Sequence, residues 1–332
     1  MKRSGFLASL ALAALCLAVG LSGCGGNSST AATPKKIKLA GVIFQDDQFF
    51  RLIKFGMQDA AKKYDVDLLE GNSNNKPETE QQMLENFQTK KVDAIIISPL
   101  SFKGSVAALK DAHDKGIVIV TNNTAINADF PEGDVECSNE DLGSQTGKAA
   151  VKYINEKLGG KANVAIVAFK SQNAEQSDQR TGGFKKEITA LPGVKIVTEQ
   201  DAWLTETSQK LVGDILTAHP EVNIVYGANE GGTSGAVLAA MDHKASKVAV
   251  FGTDVSDQLI GYLQSKDDIL QAITAQKPYD MGVRSVEIAL HAIKKEPYDK
   301  KVVLNGVCLS RSDPDGIAKF SEQLKQWTAG GK

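Results

Sequence analysis

From Lys36 onward the hydrophobic positions follow two periods in turn. Short runs rich in Val, Ile and Ala, mostly without polar interruption, are separated by amphipathic stretches of roughly 12 to 18 residues with apolar positions at helical spacing. Unbroken apolar runs fit strands covered on both faces, as in a parallel sheet, whereas strict alternation marks a sheet with one wet face. Strands are accordingly predicted at 37–44, 66–70, 94–98, 117–121, 163–169, 194–199, 223–227, 247–252 and 270–274. Helices are predicted at 50–64, 77–88, 103–115, 142–158, 179–190, 208–219, 233–241, 257–265 and 279–294. Pro77 and Pro278 fall at helix starts, where a missing N–H is harmless, and Thr205 with Ser208 reads as a helix cap. Strand and helix in regular alternation predict an α/β fold of βα units around parallel sheets. An equivalent series begins again at Asn163, a weak internal repeat that divides the chain near Ser138.

Length and the N-terminal segment add a compartment and a lobe count. The chain has 332 residues, and a body of about 300 residues exceeds the size at which one core tends to split, so two lobes are expected. Residues 1–23 read as a secretory signal, with Lys2 and Arg3 before an apolar run from Phe6 to Leu21 that is too short to span a bilayer. Leu21-Ser22-Gly23-Cys24 resembles the bacterial lipobox. That resemblance implies acyl chains on Cys24, each buried CH₂ contributing about 0.8 kcal/mol, and an extracytoplasmic protein anchored to the cell membrane. Residues 24–35 are small and polar and read as a flexible tether.

The formal net charge is −2, with acidic and basic residues interspersed, which leaves no nucleic-acid footprint. Catalysis, cofactors and metals are not expected. Gly41-Val42-Ile43-Phe44-Gln45-Asp46 follows the first strand in place of a dinucleotide fingerprint, no P-loop occurs, and the histidines at 113, 219, 243 and 291 lack metal-ligand spacing.

In open α/β sheets ligands sit beyond the carboxyl ends of the strands, so the loops there carry the functional signal. They read Gln45-Asp46-Asp47-Gln48-Phe49-Phe50, Ser98-Pro99, Thr121-Asn122-Asn123, Ser138-Asn139, Asn229-Glu230, Gly252-Thr253-Asp254 and Ala275-Gln276. This series resembles the periplasmic ribose/galactose-type sugar-binding proteins of ABC importers, from Lys36 to about Asp313, including the closing Val307-Cys308-Leu309-Ser310-Arg311. The resemblance implies the type I periplasmic binding protein fold: two Rossmann-like lobes with parallel sheets joined by a three-crossing hinge. It places the crossings near Ser138-Asn139, Gln276-Lys277 and Gly306-Val307. The N-terminal lobe is then 36–138 plus 277–306, and the C-terminal lobe 139–276 plus 307–328. It further implies a monomer that captures a small neutral sugar or polyol by hinge closure and delivers it to the importer's membrane subunits. A chemoreceptor or sensor kinase is the alternative partner. A sugar-responsive repressor shares such a body but needs a DNA-binding helix pair where this chain has an export signal.

Carried over residue by residue, the ligand positions kept in kind are Phe49, Phe50, Asn229, Asp254 and Gln276, while Trp203 replaces a Phe. Aromatic faces cover the apolar face of a sugar ring, and amides and carboxylates pair with its hydroxyls. Asp47 stands where the family has Asn, Asn122-Asn123 where it has Asp-Arg, Ser98 where it has Asn, and Asp178 where it has a second ligand Arg, with Arg180 matching a neighbouring Arg. Ser138 completes the expected set. These departures remove two positive charges and add up to two negative ones. An amine-bearing or nucleoside-like ligand is therefore the alternative to a neutral one, with Asp46, Asp47 and Asp178 as countercharge. An acidic ligand is disfavoured, because Lys170 is the one cation in view.

Other readings of the same residues stay open. Asp46 and Asp47 also suit a helix N-terminus, Asp254 the N-cap of the following helix, and Phe49 and Phe50 an ordinary core. Phe49, Asp47 and Asn122 would form one wall of the cleft, and Trp203, Asn229 and Asp254 the other. Cys137 and Cys308 both fall near implied crossings and are read either as a hinge disulfide or as two buried thiols.

Overall fold

The computed structural model describes residues 36–243 and 247–330. The expected signal segment 1–23, lipid site Cys24 and tether 24–35 lie outside the described residues. The first half of the body runs β1 (Lys38–Ile43), α1 (Gln48–Lys63), β2 (Asp67–Asn72), α2 (Pro77–Thr89), β3 (Ala94–Ile97), α3 (Val106–Asp114), β4 (Val118–Asn122) and β5 (Gly133–Cys137). Next come α4 (Asn139–Lys157), β6 (Lys161–Ala168), α5 (Ala174–Ile188), β7 (Gly193–Asp201), α6 (Thr205–Ala218), β8 (Ile224–Gly227), α7 (Glu230–Asp242), β9 (Ala249–Thr253), α8 (Asp257–Gln264) and β10 (Leu270–Ala275). The chain closes with α9 (Pro278–Lys294), β11 (Lys301–Leu304), β12 (Val307–Ser310) and α10 (Pro314–Gly330).

Two six-stranded sheets result, ordered β11-β5-β4-β3-β1-β2 and β12-β10-β9-β8-β6-β7. The first is parallel throughout, and in the second β12 alone runs antiparallel, against β10. Within each sheet the chain starts at one strand, steps to an edge and then reverses to fill the other side. The reversal leaves a crevice beyond the strand ends between β1 and β3, and its counterpart between β6 and β8. Apolar composition accounts for the central strands: Ala94, Ile95, Ile96 and Ile97 of β3 are all fully buried, which no one-faced sheet allows. The chain passes from the first sheet to the second between Cys137 and α4, back between β10 and α9, and again between β11 and β12.

Two helix pairs clamp this arrangement and carry the site. On α1 a Cβ at Gly56 would lie 2.1 Å from the Tyr279 carbonyl oxygen, and on α9 one at Gly282 would lie 2.1 Å from that of Ile53. On α4 and α5 the same reciprocity recurs: Gly143 would meet the Arg180 oxygen at 1.9 Å, and Gly183 that of Glu140 at 2.2 Å. Glycine at these crossings lets backbones touch, so helices α1 and α5, which deliver side chains to the cleft, are fixed in height against the sheets.

Several expectations need correction. Thr205 does not cap α6; it is the first helical residue, Leu204 occupies the cap position without a side-chain bond, and the Ser208 hydroxyl instead donates to the Ala202 carbonyl at 3.1 Å. Helices α4, α5 and α7 begin three to five residues earlier than the apolar pattern indicated, because their first turns are polar and side-chain capped by Ser138, Asn173 and Asn229. Strands β5, β11 and β12 and helix α10 were not anticipated. Asp134 and Glu136 interrupt β5, and β11 is four residues with none buried, so neither shows the unbroken apolar run that marks the central strands. Cys137 and Cys308 are free thiols and form no hinge disulfide; Cys137 is buried, as the second reading has both, whereas Cys308 is only partly buried. Cys137 ends β5 among Val135, Leu142 and Met281, whereas Cys308 lies on β12 against the core of the other sheet around Ala272 and Phe251. Burial pushes the Cys137 thiol up to about 11 and raises that of Cys308.

Candidate functional site

A cleft of about 680 Å³ opens beyond the carboxyl ends of both sheets, within the size range of small-molecule sites. Its first wall is the loop after β1 with the start of α1. Asp47 caps α1, its Oδ1 accepting from the Phe50 N–H at 2.9 Å, and Gln45 Nε2 donates to its other oxygen. The cap holds Phe49 and Phe50 at the cleft, where Phe50 lies between Phe44 at 4.3 Å and Phe49 at 5.1 Å. Capping and cleft lining, posed as alternatives for Asp47, are thus the same geometry. The two aromatic rings likewise both join the lobe core and line the cleft. Pro99 and Leu100 extend this wall from the loop after β3, held by Glu80, whose carboxylate accepts from the Leu100 N–H at 2.8 Å.

The second wall centres on Arg180 and Asp254. Arg180 is buried on α5, and its Nε donates to Asn139 Oδ1 at 2.8 Å. Its Nη1 donates to the Ala228 carbonyl at 3.1 Å and to Asp254 Oδ2 at 3.3 Å. Asp254 is held in the left-handed region at φ 77, and receives in addition the Glu230 N–H at 3.0 Å and Gln276 Nε2 at 2.6 Å. It does not cap the following helix; Ser256 does. Its carboxylate faces instead the positive end of α7. Asn229 caps α7 through Gly232 N at 2.9 Å and donates Nδ2 to the Trp203 carbonyl at 2.9 Å, which fixes the Trp203 loop beside the cleft. Phe169, with the Arg180 guanidinium 5.0 Å from its ring centroid, adds an aromatic face.

Of the sequence-predicted residues, the cleft brings together Asp47, Phe49, Phe50, Asn123, Trp203, Asn229, Asp254 and Gln276. Four others lie elsewhere. Ser98 and Asn122 are completely buried beneath the floor, Ser98 Oγ donating to Asn122 Oδ1 at 2.5 Å and Asn122 reaching Ser285. Ser138 is spent on capping α4. Asp178 is exposed and pairs with Lys170 at 3.0 Å, which removes both from the cleft's charge balance. Arg180 supplies the cation that the sequence comparison had assigned away. Also unanticipated are Gln172, Asn173 and Gln176 from the loop and first turn after β6; Glu230, in a loop already read for function, joins them as a lining residue outside the expected ligand set. The polar run of Gln172, Asn173 and Gln176, directly after an apolar strand, was a legible signal that the resemblance did not draw on.

The electrostatics are lopsided. Four carboxylates line the cleft, Asp46, Asp47, Glu230 and Asp254, with one guanidinium, Arg180; of these Asp46 sits at the exposed rim, paired with Arg51 at 3.6 Å. Burial, reinforced by the charges of Asp254 and Asp47, pushes Glu230 up to about 7 against a hydrogen bond from Ser256. Burial likewise raises Asp47 above the usual carboxylate range, against its bonds from Phe50 and Gln45. Hydrogen bonds bridge the walls: Gln176 Nε2 donates to the Asn123 carbonyl at 2.7 Å and to Thr124 Oγ1 at 3.2 Å, and the Asp257 N–H to Gln48 Oε1 at 3.0 Å. Among the described residues no group of three or more His, Cys, Asp or Glu could hold a metal, and no helix is long and apolar enough to cross a membrane.

Residues 42–297 match the family model described as a periplasmic binding protein domain. The ABC transporter periplasmic-binding protein YphF of Escherichia coli is 27% identical over 313 residues, covering 92% of each chain. The ribose import binding protein RbsB of Salmonella typhimurium is 28% identical over 269 residues, covering 78% of this chain and 87% of that one. Among solved structures, an ABC transporter periplasmic solute binding protein from Actinobacillus succinogenes with bound D-allose superposes with a TM-score of 0.77 at 27% identity, covering 84% of this chain and 99% of that one.

Proposed function

The chain belongs to the periplasmic binding protein domain family, and on that premise we propose that its cleft captures a sugar or polyol and presents it to the membrane subunits of an ABC importer. Family membership places the protein outside the cytoplasm. One observation carries the reading of the ligand: aromatic faces on both walls, Phe49 and Phe50 opposite Trp203 and Phe169, flank a floor of amide and carboxylate side chains. A sugar or polyol has this dual character, with C–H faces that stack and a hydroxyl edge that exchanges hydrogen bonds. The Arg180–Asp254–Gln276 network holds the polar groups in place before ligand arrives, so less ordering is needed on binding.

Lobes composed of 36–138 with 277–306, and 139–276 with 307–328, close on the ligand about the three passages between the sheets. Closure is driven only by the ligand's extra contacts in the closed form, and so needs residues on both walls. Asp47, Phe49, Phe50 and Asn123 serve one wall, and Trp203, Asn229, Asp254 and Gln276 the other. The protein performs no chemistry on its ligand, acts as a monomer and is held at the membrane by lipid on Cys24. A relative at 27% identity bound to D-allose supports the ligand class. Thermal melting against pentoses, hexoses and polyols tests the proposal. A specific ligand at 100 times its Kd stabilises by about 2.7 kcal/mol. Asp254→Ala should abolish the shift, and absence of a shift with every sugar and polyol would reject the reading.

A further inference from the structure

Resting on the reading of the cleft as a sugar or polyol site, we infer that the natural ligand carries a basic amine, whose ammonium pairs with Asp47 and Glu230 on opposite walls. The cleft's charge points there. With Asp46 balanced by Arg51 at the rim, three further carboxylates face one guanidinium, leaving a formal surplus of two negative charges in a cavity that closure would dry. Asp254 is already matched by Arg180, the Glu230 N–H and Gln276. The surplus therefore resides on Asp47 and Glu230. Their partners are neutral or remote: Asp47 has the Phe50 N–H and Gln45, Glu230 has Ser256, and Arg51 beside Asp47 is engaged at the rim with Asp46. All three carboxylates line the one cleft, where Glu230 feels the charges of Asp254 and Asp47, and Asp47 that of Asp254.

A neutral polyol closing this cleft would enclose Asp47 and Glu230 without a countercharge, so either two like charges are held in a medium of low effective dielectric or Glu230, pushed up to about 7, must take up a proton. One ammonium between the two carboxylates removes the repulsion and adds charge-assisted hydrogen bonds. The rest of the cavity remains suited to hydroxyls and ring faces, so the ligand class is an amino sugar or aminocyclitol and not a simple amine.

Calorimetric titration of matched pairs tests this: an aminodeoxyinositol against myo-inositol, and D-glucosamine against D-glucose and N-acetyl-D-glucosamine. The amine of at least one pair is expected to bind tenfold or more tighter than its neutral partners at pH 7. Asp47→Asn keeps the helix cap and Glu230→Gln keeps the side chain's size; each should reduce the ratio of amine to neutral affinity at least several-fold, whatever it does to neutral binding itself. Neutral members binding as tightly as amines, or preference unchanged in both variants, overturns the inference and leaves the sugar reading standing. Binding of neither class overturns the sugar reading and this inference together.

Discussion

Replacing Arg180 by Met removes the cleft's one central cation while keeping most of the buried stem volume. Its side chain is 4% exposed and that of its partner Asp254 12% exposed, so solvent screens the pair little. The substitution deletes bonds to Asn139, Ala228 and Asp254 and leaves the Asp254 carboxylate enclosed. Breaking a buried ion pair by removing one partner costs about 3–5 kcal/mol. Asp254 keeps its donors at Glu230 N and Gln276 Nε2, which argues for the lower end, about 3 kcal/mol. Adding Asp254→Asn to Arg180→Met should restore about 2 kcal/mol relative to the sum of the single losses, because the stranded charge is gone. Urea unfolding of the ligand-free protein, followed by far-UV circular dichroism and by emission from Trp203 and Trp327, measures all four corners of the cycle. A loss below about 1 kcal/mol for Arg180→Met, together with additivity within about 0.5 kcal/mol, would refute the claim that this pair organises the second wall.

Gly143→Ala should destabilise by about 1–3 kcal/mol or more, because its Cβ would collide with the Arg180 carbonyl. Gly213→Ala on α6, with nothing within 4 Å of its Cβ, should be neutral or stabilising in the same melting assay. Gln176→Ala removes the bonds to Asn123 and Thr124 that tie the walls together; it should enlarge the ligand-free radius of gyration in small-angle scattering and weaken ligand binding about fivefold, at roughly 1 kcal/mol. Cys137 and Cys308 should resist a thiol reagent at pH 8 in the native state and both react in denaturant, and recovery of a disulfide-linked peptide would contradict the structure. Glu230 binds its proton more tightly folded, at about 7, than at its ordinary 4.5. The folded state thus holds more protons between those values, and its stability should fall as pH rises from about 4.5 to 7. In Glu230→Gln that decline should be smaller in pH-dependent urea titrations.

The α/β class and every central strand were legible because strands buried on both faces read as unbroken apolar runs, as Ala94 to Ile97 do. What stayed hidden is amphipathic or polar. Strand β5 buries only Gly133, Val135 and Cys137, with Asp134 and Glu136 between them, and its pairing with β11 comes from residues more than 160 positions away along the chain. Helix starts were late for a related reason. A capped first turn such as Asn173-Ala174-Glu175-Gln176 turns polar side chains to the cleft, so the apolar stripe by which a helix is recognised has not yet begun.

That late start explains the misassigned charge. With α5 beginning at Ala174, the buried residues Ser177, Arg180, Thr181, Phe184 and Ile188 lie at spacings of three and four, one inward stripe of the helix. Asp178 falls off that stripe and Arg180 lies on it. Counting back from Phe184 and Ile188 therefore places Arg180 inside without any reference to a relative. The consequence is chemical as well as geometric. With Asp178 in the cleft and no arginine, the negative surplus would be spread over a solvated rim and could be ignored. With Arg180 committed to Asp254, the surplus is confined to Asp47 and Glu230, one on each wall. Above about pH 7, where Glu230 is ionised, opposed like charges would resist approach of the walls, and a cationic ligand would draw the same two groups together. Charge complementarity then adds to the differential affinity that drives the hinge.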